Sequence, residues 1–182
     1  PISKFRDDTT WRATAAWLLP EASVRLHGSA GTGVKNPTFF EMFGFIPSSF
    51  TGNPNLKPEK SLGFDAGVEW HAHNDAALFD VTYYHADLTQ EIFTDFSRFP
   101  RVSADNMPGR SKRDGVEVAA TVRLGEMLQA KGAYTYTDST SPTGAEELRR
   151  PHQIGSLLLD YGIAGSTTHL DRKSTRLNSS HI

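Results

Sequence analysis

The chain has 182 residues, a formal net charge of −2 and no cysteine. The weak net charge gives no basic field for nucleic acid, so no nucleic-acid partner is expected, and the lack of cysteine excludes disulfide frameworks and thiolate metal sites. Apolar residues make up 37% of the chain, which is low for a soluble core but enough for a sheet that buries one face of each strand. No apolar run reaches the length of about 18 residues that a transmembrane helix requires.

Most of the chain alternates apolar and polar residues with the two-residue period of a β-strand. In the first segment, Trp11, Ala13 and Ala15 share one face, while Arg12 and Thr14 share the other. Seven such segments predict strands over residues 11–19, 22–30, 62–70, 76–93, 116–124, 128–137 and 157–161, and an eighth begins at 166–170. The sequence therefore predicts an all-β protein.

The connections between these strands alternate in length. Short turns are expected at residues 20–21, 73–75 and 125–126, and long loops over residues 31–60, 94–110 and 138–150. This alternation is typical of outer-membrane barrels, and strands of about ten residues suit a tilted membrane-spanning strand. Aromatic residues near strand ends fit the girdles of such barrels, namely Trp11, Trp17, Trp70, Tyr83, Tyr134 and Tyr136.

We therefore predict that residues 1–170 form an antiparallel transmembrane β-barrel fragment, about seven to eight strands of a larger barrel. A soluble antiparallel sandwich is the alternative, because it also alternates apolar and polar residues. Turn lengths in a sandwich need not alternate, and the alternation in this chain favours the barrel.

Residues 52–61, GNPNLKPEKS, carry the strongest turn signals in the chain. Pro54 and Pro58 fix φ and lack a backbone donor, while Asn53 can bond its own backbone, so this loop is pre-shaped where the next strand begins. Lys35 and Glu59 are expected to pair across two strands, and an exposed pair contributes at most about 1 kcal/mol. We expect a scaffold role for this stretch, with direct ligand contact as the alternative.

The same stretch, together with residues 31–44, resembles a signature of TonB-dependent outer-membrane receptors. Members of that family read G-x-G-x-K-x-P-x-x-x-E-x-F before an external loop, then G-N-P-x-L-x-P-E-x-S at the start of the next strand. The matching residues here are Gly31, Gly33, Lys35, Pro37, Glu41 and Phe43, then Gly52, Asn53, Pro54, Leu56, Pro58, Glu59 and Ser61, with Asn36 inside the first half. The resemblance extends over residues 10–170.

The resemblance implies part of an active-transport receptor that imports a metal chelate such as a siderophore, cobalamin or a similar solute. It also implies a multi-pass location in the bacterial outer membrane, contact with lipid and lipopolysaccharide, and coupling to TonB through a plug region. The family's plug domain, energy-coupling box and terminal aromatic insertion signal have no match, so we expect a slice of the barrel near but not at its C-terminal end. A passive porin or structural barrel is the alternative function.

Basic and aromatic residues cluster around the loop predicted over residues 94–110. An anionic ferric chelate is attracted to positive charge, and aromatic rings can pack on it. The same cations are compatible with bridging of lipopolysaccharide phosphates or with solvation of the loop. The candidate residues for ligand approach are Phe96, Arg98, Phe99, Arg101, Arg110, Lys112 and Arg113.

Other chemistry has weak support in the sequence. Residues 28–35 have the opening spacing of a P-loop, but Val34 separates the last glycine from the lysine and no Ser or Thr follows. His71, His73 and Asp75 could supply metal ligands at a turn, yet no fourth ligand is evident. No Gly-x-Ser-x-Gly motif occurs, so we expect no catalytic residue and no enzyme activity. We also expect no cofactor and no metal site.

The last segment, residues 171–182, breaks the alternation and turns polar and basic. It resembles a translated sequencing-adapter read-through at the end of a truncated open reading frame. We therefore leave it out of the predicted barrel, with a genuine disordered tail as the alternative.

Overall fold

A computed structural model of the chain describes residues 8–72, 76–97, 99–147, 150–162 and 169–178. Its elements are β1 (Arg12–Leu19), a 3-10 helix (Pro20–Ala22), β2 (Val24–Lys35), α1 (Phe39–Phe43), β3 (Phe45–Ile46), β4 (Phe50–Thr51), β5 (Glu59–His71), β6 (Ala77–Thr89), β7 (Ile92–Asp95), β8 (Ser103–Asn106), β9 (Arg110–Leu124), β10 (Leu128–Thr140), β11 (Gln153–Gly162) and β12 (His169–Asn178). No helix in these ranges is long and apolar enough to cross a bilayer.

One antiparallel sheet of eight strands dominates the fold, in the order β1-β2-β5-β6-β9-β10-β11-β12. Each long strand pairs with the next long strand along the chain, so the sheet is an up-and-down meander. The short pairs β3-β4 and β7-β8 form two small hairpins in the long connections. The predicted all-β antiparallel architecture is confirmed.

The long connections all leave the main sheet at one end, which we call the long-loop end. They cover residues 36–58, 90–109 and 141–152, whereas β1 and β2, β5 and β6, and β9 and β10 are joined by short turns at the opposite end. This confirms the predicted alternation of short and long connections, which is typical of outer-membrane barrels.

Several strands extend further toward the long-loop end than the sequence predicts. β2 continues to Lys35, and β9 begins at Arg110 rather than at residue 116. Backbone pairing continues there although the side chains are no longer apolar, so the alternation of hydrophobicity ends before the strand does. β6 is shorter than predicted and stops at Thr89, because Gln90 adopts a positive φ of 59°.

A strand also occupies part of the segment that we left out of the predicted barrel. β12 pairs with β11 from Gly162↔His169 to Gln153↔Asn178. An antiparallel ladder of this kind uses backbone groups and does not require apolar alternation. The pairing does not test the origin of residues 171–182, so the division of the chain at residue 170 stays a prediction.

The main sheet has one continuous apolar face. Across five neighbouring strands, Leu26, Val68, Val81, Val118 and Tyr134 lie directly opposite one another in a single row. Rows on either side follow the same pattern, and the large apolar side chains of this face are exposed. The buried apolar residues among the described positions all lie outside the main sheet, so this face packs against no protein core. Such a face suits contact with lipid.

All six aromatic residues predicted for the girdles lie on the apolar face and are exposed. Trp70 and Phe79, on neighbouring strands near the short-turn end, have ring centroids 5.9 Å apart. Trp17 and Trp70 lie near the short-turn ends of β1 and β5, which matches the position of a bilayer interface, whereas Tyr83, Tyr134 and Tyr136 lie near the middle of β6 and β10.

The opposite face of the sheet is polar and internally paired. Arg25 Nε and Nη2 each donate to a Glu69 carboxylate oxygen at 2.8 Å, and His27 Nε2 lies 2.7 Å from Asp80 Oδ2. A Cβ on Gly67 would lie only 2.4 Å from His27 Cε1, so the glycine makes room for the imidazole. This face suits a polar barrel interior.

Candidate functional site

Two of the long connections fold together into a unit that we call the loop platform, residues 36–58 and 90–109. Met42, Leu56 and Ala104 form its buried core, and Phe50 and Ile92 pack against them. Leu56 is only 2% exposed. The loop platform is therefore held by its own apolar contacts at the long-loop end of the sheet.

The first half of the sequence motif builds α1 and fixes its start. Thr38 and Glu41 form a capping box, in which the Glu41 N–H donates to Thr38 Oγ1 at 3.2 Å and the Thr38 N–H donates to Glu41 Oε2 at 2.7 Å. Phe43 is exposed, and its ring centroid lies 5.2 Å from that of Phe39. Asn36 is exposed and Pro37 is buried.

The two halves of the motif are joined directly. The Asn53 N–H donates to the Glu41 backbone oxygen at 2.9 Å, and the Gly52 N–H donates to the Gly44 oxygen at 2.7 Å. A Cβ on Gly52 would lie 2.6 Å from the carbonyl carbon of Met42, so this close approach of two backbones requires glycine.

The second half of the motif ties the first loop to the second. Glu59 Oε1 accepts hydrogen bonds from Lys35 Nζ at 3.1 Å and from the Ile92 N–H at 2.8 Å. The predicted Lys35–Glu59 ion pair is confirmed, and Glu59 also holds the start of β7.

Asn53 Oδ1 accepts from the Asn55 N–H at 2.9 Å, which shapes the turn. Pro54 is exposed, whereas Pro58 and Ser61 are half-buried.

Asn106, which the sequence analysis missed, completes the loop platform. Its side chain contacts the backbone of Lys57 twice and donates to the Gln90 oxygen at 2.7 Å. Asn106 lies 49 residues from Lys57 along the chain, so no local pattern marks it. A contact of this kind follows only from the three-dimensional arrangement of the two loops.

The structure divides the candidate ligand-approach residues among three places. Phe96 and Phe99 are 65% and 78% exposed in the connection between β7 and β8, and Arg101 is exposed nearby. Arg98 lies outside the described residues. Arg110, Lys112 and Arg113, which were expected to border the loop, lie in β9, where Arg110 and Lys112 share one face and Arg113 lies on the other.

A cavity of about 430 Å³ lies between the two parts of the loop platform. Its polar lining comes mainly from Asn53, Asp95, Arg101, Ser103 and Asp105. Arg101 supplies hydrogen-bond donors, and the two carboxylates supply acceptors. Such a lining can recognise a small polar ligand that presents both donors and acceptors.

Thr51, which also lines this cavity, adds an unsatisfied polar atom. Its Oγ1 is buried and has no hydrogen-bond partner in the part of the chain that the structure describes. Buried hydroxyl groups are normally paired, and this one is enclosed by protein, so a ligand in the cavity would reach it only if neighbouring side chains moved.

Arg113 faces the polar side of the sheet and anchors loops rather than standing free. Its Nη2 lies 2.6 Å from Glu91 Oε1, and its Nε lies 3.4 Å from Glu147 Oε2. Ser139 also donates to Glu147 at 2.7 Å. Burial raises the pKa of Glu147, but the Ser139 hydrogen bond and the charges of Arg113 and Arg150 outweigh it and hold that pKa below its usual value.

His152 secures the third long loop, residues 141–152. Its Nε2 contacts Glu146, and its Nδ1 lies 2.9 Å from the Thr137 backbone oxygen. The hydrogen bonds that His152 donates to Glu146 and to the Thr137 oxygen raise the pKa of His152 above its usual value. The protonated imidazole is therefore favoured in this loop.

The metal hypothesis for residues 71–75 is not tested by the described residues, which hold only one of its three ligands. They contain no group of three or more His, Asp or Glu side chains that could hold a metal ion. His71 Nε2 lies 2.8 Å from Glu69 Oε1, whereas His73 and Asp75 lie outside the described residues.

Solved structures share this fold. The siderophore receptor PirA from Pseudomonas aeruginosa has a TM-score of 0.73 and 19% identity, over 93% of this chain and 30% of that one. A mutant of the ferric enterobactin receptor PfeA from the same organism, in complex with enterobactin, has a TM-score of 0.74 and 18% identity, over 93% of this chain and 28% of that one. The ferric-catecholate import receptor Fiu from Escherichia coli K12 has a TM-score of 0.63 and 16% identity, over 94% and 25% of the two chains.

These likenesses show that the eight-stranded sheet shares the fold of a section of those structures, and the chain spans less than a third of each of them. A family model described as "TonB dependent receptor-like, beta-barrel" matches residues 2–179. That match covers nearly the whole chain. The chain therefore belongs to the TonB-dependent receptor-like β-barrel family.

Proposed function

We propose that the protein is part of an outer-membrane receptor that binds and imports a metal chelate of the siderophore class. The observation that carries this proposal is the loop platform, which presents a polar cavity at one end of a sheet whose apolar face suits lipid. Family membership and the names of the similar receptors support the same class of cargo. Cobalamin, the other expected cargo, rests on the family resemblance alone.

The two faces of the sheet support the proposed membrane placement. The apolar face contacts outer-membrane lipid, and the polar face lines the barrel interior. The long-loop end faces the outside, because outer-membrane barrels place their long loops there and their short turns in the periplasm. The loop platform is then the first part of this chain that an external ligand meets.

Ligand capture is assigned to the cavity and the aromatic residues beside it. Arg101 attracts the negative charge of a ferric chelate, and Asp95 and Asp105 accept hydrogen bonds from its amide or hydroxyl groups. The exposed rings of Phe96 and Phe99 pack on its apolar parts. Arg113 supports this site indirectly, because it anchors the start of the second loop through Glu91.

Energy coupling to TonB through a plug region belongs to the same proposal and rests on family membership. It separates an active receptor from a passive porin, because a porin lets small solutes through without an energy source.

The scaffold role of the motif residues is also part of the proposal. Their contacts described above connect loops to each other and to the sheet.

The test is chelate binding by the full-length protein of the gene that encodes this sequence. Ferric enterobactin, a ferric hydroxamate and cyanocobalamin serve as probes, with quenching of tryptophan fluorescence as the signal. Arg101→Gln should weaken binding of the anionic chelate at least about tenfold, because it removes a charge-assisted contact. Arg123→Gln, at the short-turn end of β9, is the matched control and should bind as the wild type does.

Two results would overturn the proposal. One is that none of the iron chelates binds the wild-type protein. The other is that liposomes containing the protein admit small neutral solutes freely, which would favour the passive porin.

A further inference from the structure

We propose that the cavity of the loop platform selects a zwitterionic metal chelate, with an anionic group bound at Arg101 and a protonated amine bound at Asp105. Both residues line the cavity. This inference rests on the proposed function and narrows its cargo from metal chelates in general to one charge class.

The cavity is a trough between two chain segments that run side by side, residues 51–55 and residues 101–105. The Thr51 N–H donates to the Val102 oxygen at 3.0 Å, next to a parallel bridge between Phe50 and Val102. Further along, Asn53 Nδ2 lies 3.5 Å from Asp105 Oδ1. The two walls therefore run in the same direction, and the cavity extends from Arg101 to Asp105.

The alternation of β8 turns polar side chains toward this cavity. Ala104 belongs to the buried core of the loop platform. Its neighbours Ser103 and Asp105 therefore point the opposite way, and both line the cavity. Asp95 lies directly opposite Ser103 in the β7-β8 ladder and shares that face.

The opposite charges of the cavity are held apart. Arg101 and Asp105 are four residues apart, which is about 13 Å along an extended chain. Neither side chain forms an ion pair within the part of the chain that the structure describes. Asp105 Oδ1 accepts from the Asn106 N–H at 2.8 Å, whereas its Oδ2 accepts from none of the described residues. One cation and one anion thus face the same cavity, and a ligand with two opposite charges can pair with both.

The second carboxylate of the cavity has a structural task. Asp95 Oδ1 accepts from the Ser97 N–H and Asp95 Oδ2 accepts from Ser97 Oγ, both at 2.9 Å. A carboxylate engaged in this way shapes the connection between β7 and β8. The amine of the ligand is therefore assigned to Asp105.

An aromatic ring beside Asp105 favours an ammonium at this end of the cavity. Phe93 lies directly opposite Asp105 in the β7-β8 ladder and is 37% exposed. Side chains in such positions have Cβ atoms about 4.5–5.5 Å apart. An ammonium is attracted both to a carboxylate and to the face of an aromatic ring, whereas a neutral hydroxyl or amide gains less from either contact.

The experiment measures the affinity of the full-length protein for four ferric trihydroxamates by quenching of tryptophan fluorescence. They are ferrioxamine B, its N-acetyl derivative, and the two counterparts in which a succinyl group replaces the terminal acetyl group. Because the ferric trihydroxamate core is neutral, these four chelates are cationic, neutral, zwitterionic and anionic, in that order. The wild-type protein should bind the zwitterionic chelate at least about tenfold more tightly than the neutral one.

Two variants separate the ends of the cavity. Asp105→Asn keeps the oxygen that accepts from the Asn106 N–H and should weaken only the two chelates with a free amine. Arg101→Gln should weaken only the two chelates with a carboxylate. General damage to the loops would weaken all four chelates equally, so the neutral chelate reports on folding. Lys57→Gln removes an exposed cation of the first loop that does not line the cavity, and it should bind all four chelates as the wild type does.

The proposal would be overturned by a wild-type protein that binds the zwitterionic chelate no more tightly than the neutral one. Equal losses for amine and N-acetyl chelates in Asp105→Asn would also contradict it, as would equal losses in Lys57→Gln and Arg101→Gln. Failure of all four chelates to bind would overturn it as well. Binding of ferric enterobactin by the same protein would then leave the proposed function intact, so the two failures are distinguishable.

Discussion

Asn106 binds the backbone of Lys57 through both ends of its side-chain amide. Its Oδ1 accepts from the Lys57 N–H at 2.7 Å, and its Nδ2 donates to the Lys57 oxygen at 2.9 Å. One side chain of the second loop thus substitutes for a strand partner of the first loop. The contact lies immediately before Glu59, where β5 begins, so it fixes the entry of the chain into the sheet.

Replacing this side chain should loosen the first loop without unfolding the sheet. We expect Asn106→Ala to destabilise the loop platform by about 1–3 kcal/mol, because the Lys57 backbone groups and the Gln90 oxygen lose their partner. Hydrogen–deuterium exchange of the full-length protein should show faster exchange over residues 52–58.

Asn55→Ala is the matched control, since only the backbone N–H of Asn55 takes part in the turn described above. It should leave exchange in this region unchanged. Equal protection of residues 52–58 in Asn106→Ala and in the wild type would show that the apolar core alone holds the loop.

The contrast between Leu56 and Asn106 shows what a single sequence can predict in this family. Leu56 lies in a recognisable motif, and its burial agrees with a scaffold role. Asn106 lies in a polar stretch, and its importance arises from a loop that is distant along the chain. Local patterns specify strands and turns because their causes are local, whereas contacts between loops depend on how the sheet brings them together.

Gly52 should be intolerant of any side chain. A Cβ at this position would lie 2.6 Å from the Met42 carbonyl carbon and 2.7 Å from its oxygen, and both atoms belong to a backbone that cannot rotate away. We expect Gly52→Ala to destabilise the loop platform by about 1–3 kcal/mol, which is typical of overpacking. Limited proteolysis should then cleave the loop over residues 44–58 faster.

Gly132→Ala serves as the comparison for Gly52→Ala. A Cβ there would meet only the Ser156 oxygen, at 3.9 Å, which is an ordinary contact. This variant should match the wild type in protease resistance. If Gly52→Ala were equally resistant, the close approach to Met42 would be relieved by movement of the loop at little cost.

The third long loop should be more stable at acidic than at alkaline pH. The pKa of His152 is raised above its usual 6.5 by Glu146 and Thr137. A group whose folded pKa is raised stabilises the fold fully below its unfolded pKa, and this contribution is lost as the pH rises through the folded pKa. Amide exchange over residues 141–147, corrected for its intrinsic pH dependence, should therefore accelerate above neutral pH.

Glu146→Gln removes the main cause of this shift and provides the control. The exchange of the loop should then depend less on pH, because the pKa of His152 moves back toward its usual value. The same pH dependence in Glu146→Gln and in the wild type would show that another group controls the loop.

The basic residues near the start of β9 illustrate why sequence alone does not assign side chains to the faces of a sheet. The apolar alternation begins at Val116, so the preceding cations were expected to border a loop. The strand starts at Arg110, and the period of two then sends Arg110 and Arg113 to opposite faces. Their roles separate for that reason: Arg110 pairs with Asp87 on the apolar face, and Arg113 anchors two loops from the polar face.

Arg113→Gln should weaken both loops that this side chain anchors. It removes the guanidinium whose Nη2 lies 2.6 Å from Glu91 Oε1 and whose Nε lies 3.4 Å from Glu147 Oε2. The two half-buried carboxylates then lose part of the positive charge that balances them. We expect a loss of about 1–3 kcal/mol, seen as faster amide exchange over residues 90–97 and 141–147. Arg110→Gln should cost at most about 1 kcal/mol, because its pair with Asp87 is exposed.

The same variant should shift the response of the third loop to acid. The pKa of Glu147 is lowered in the wild type, so its stabilising contribution is present above its usual pKa and is lost as the pH falls through the folded value. Without the charge of Arg113 the folded pKa rises, and the loss should begin at a higher pH. Exchange over residues 141–147, measured between about pH 3 and pH 6, should therefore accelerate earlier in Arg113→Gln than in Arg110→Gln. Identical acid profiles would mean that Ser139 and Arg150 are sufficient to hold the Glu147 carboxylate.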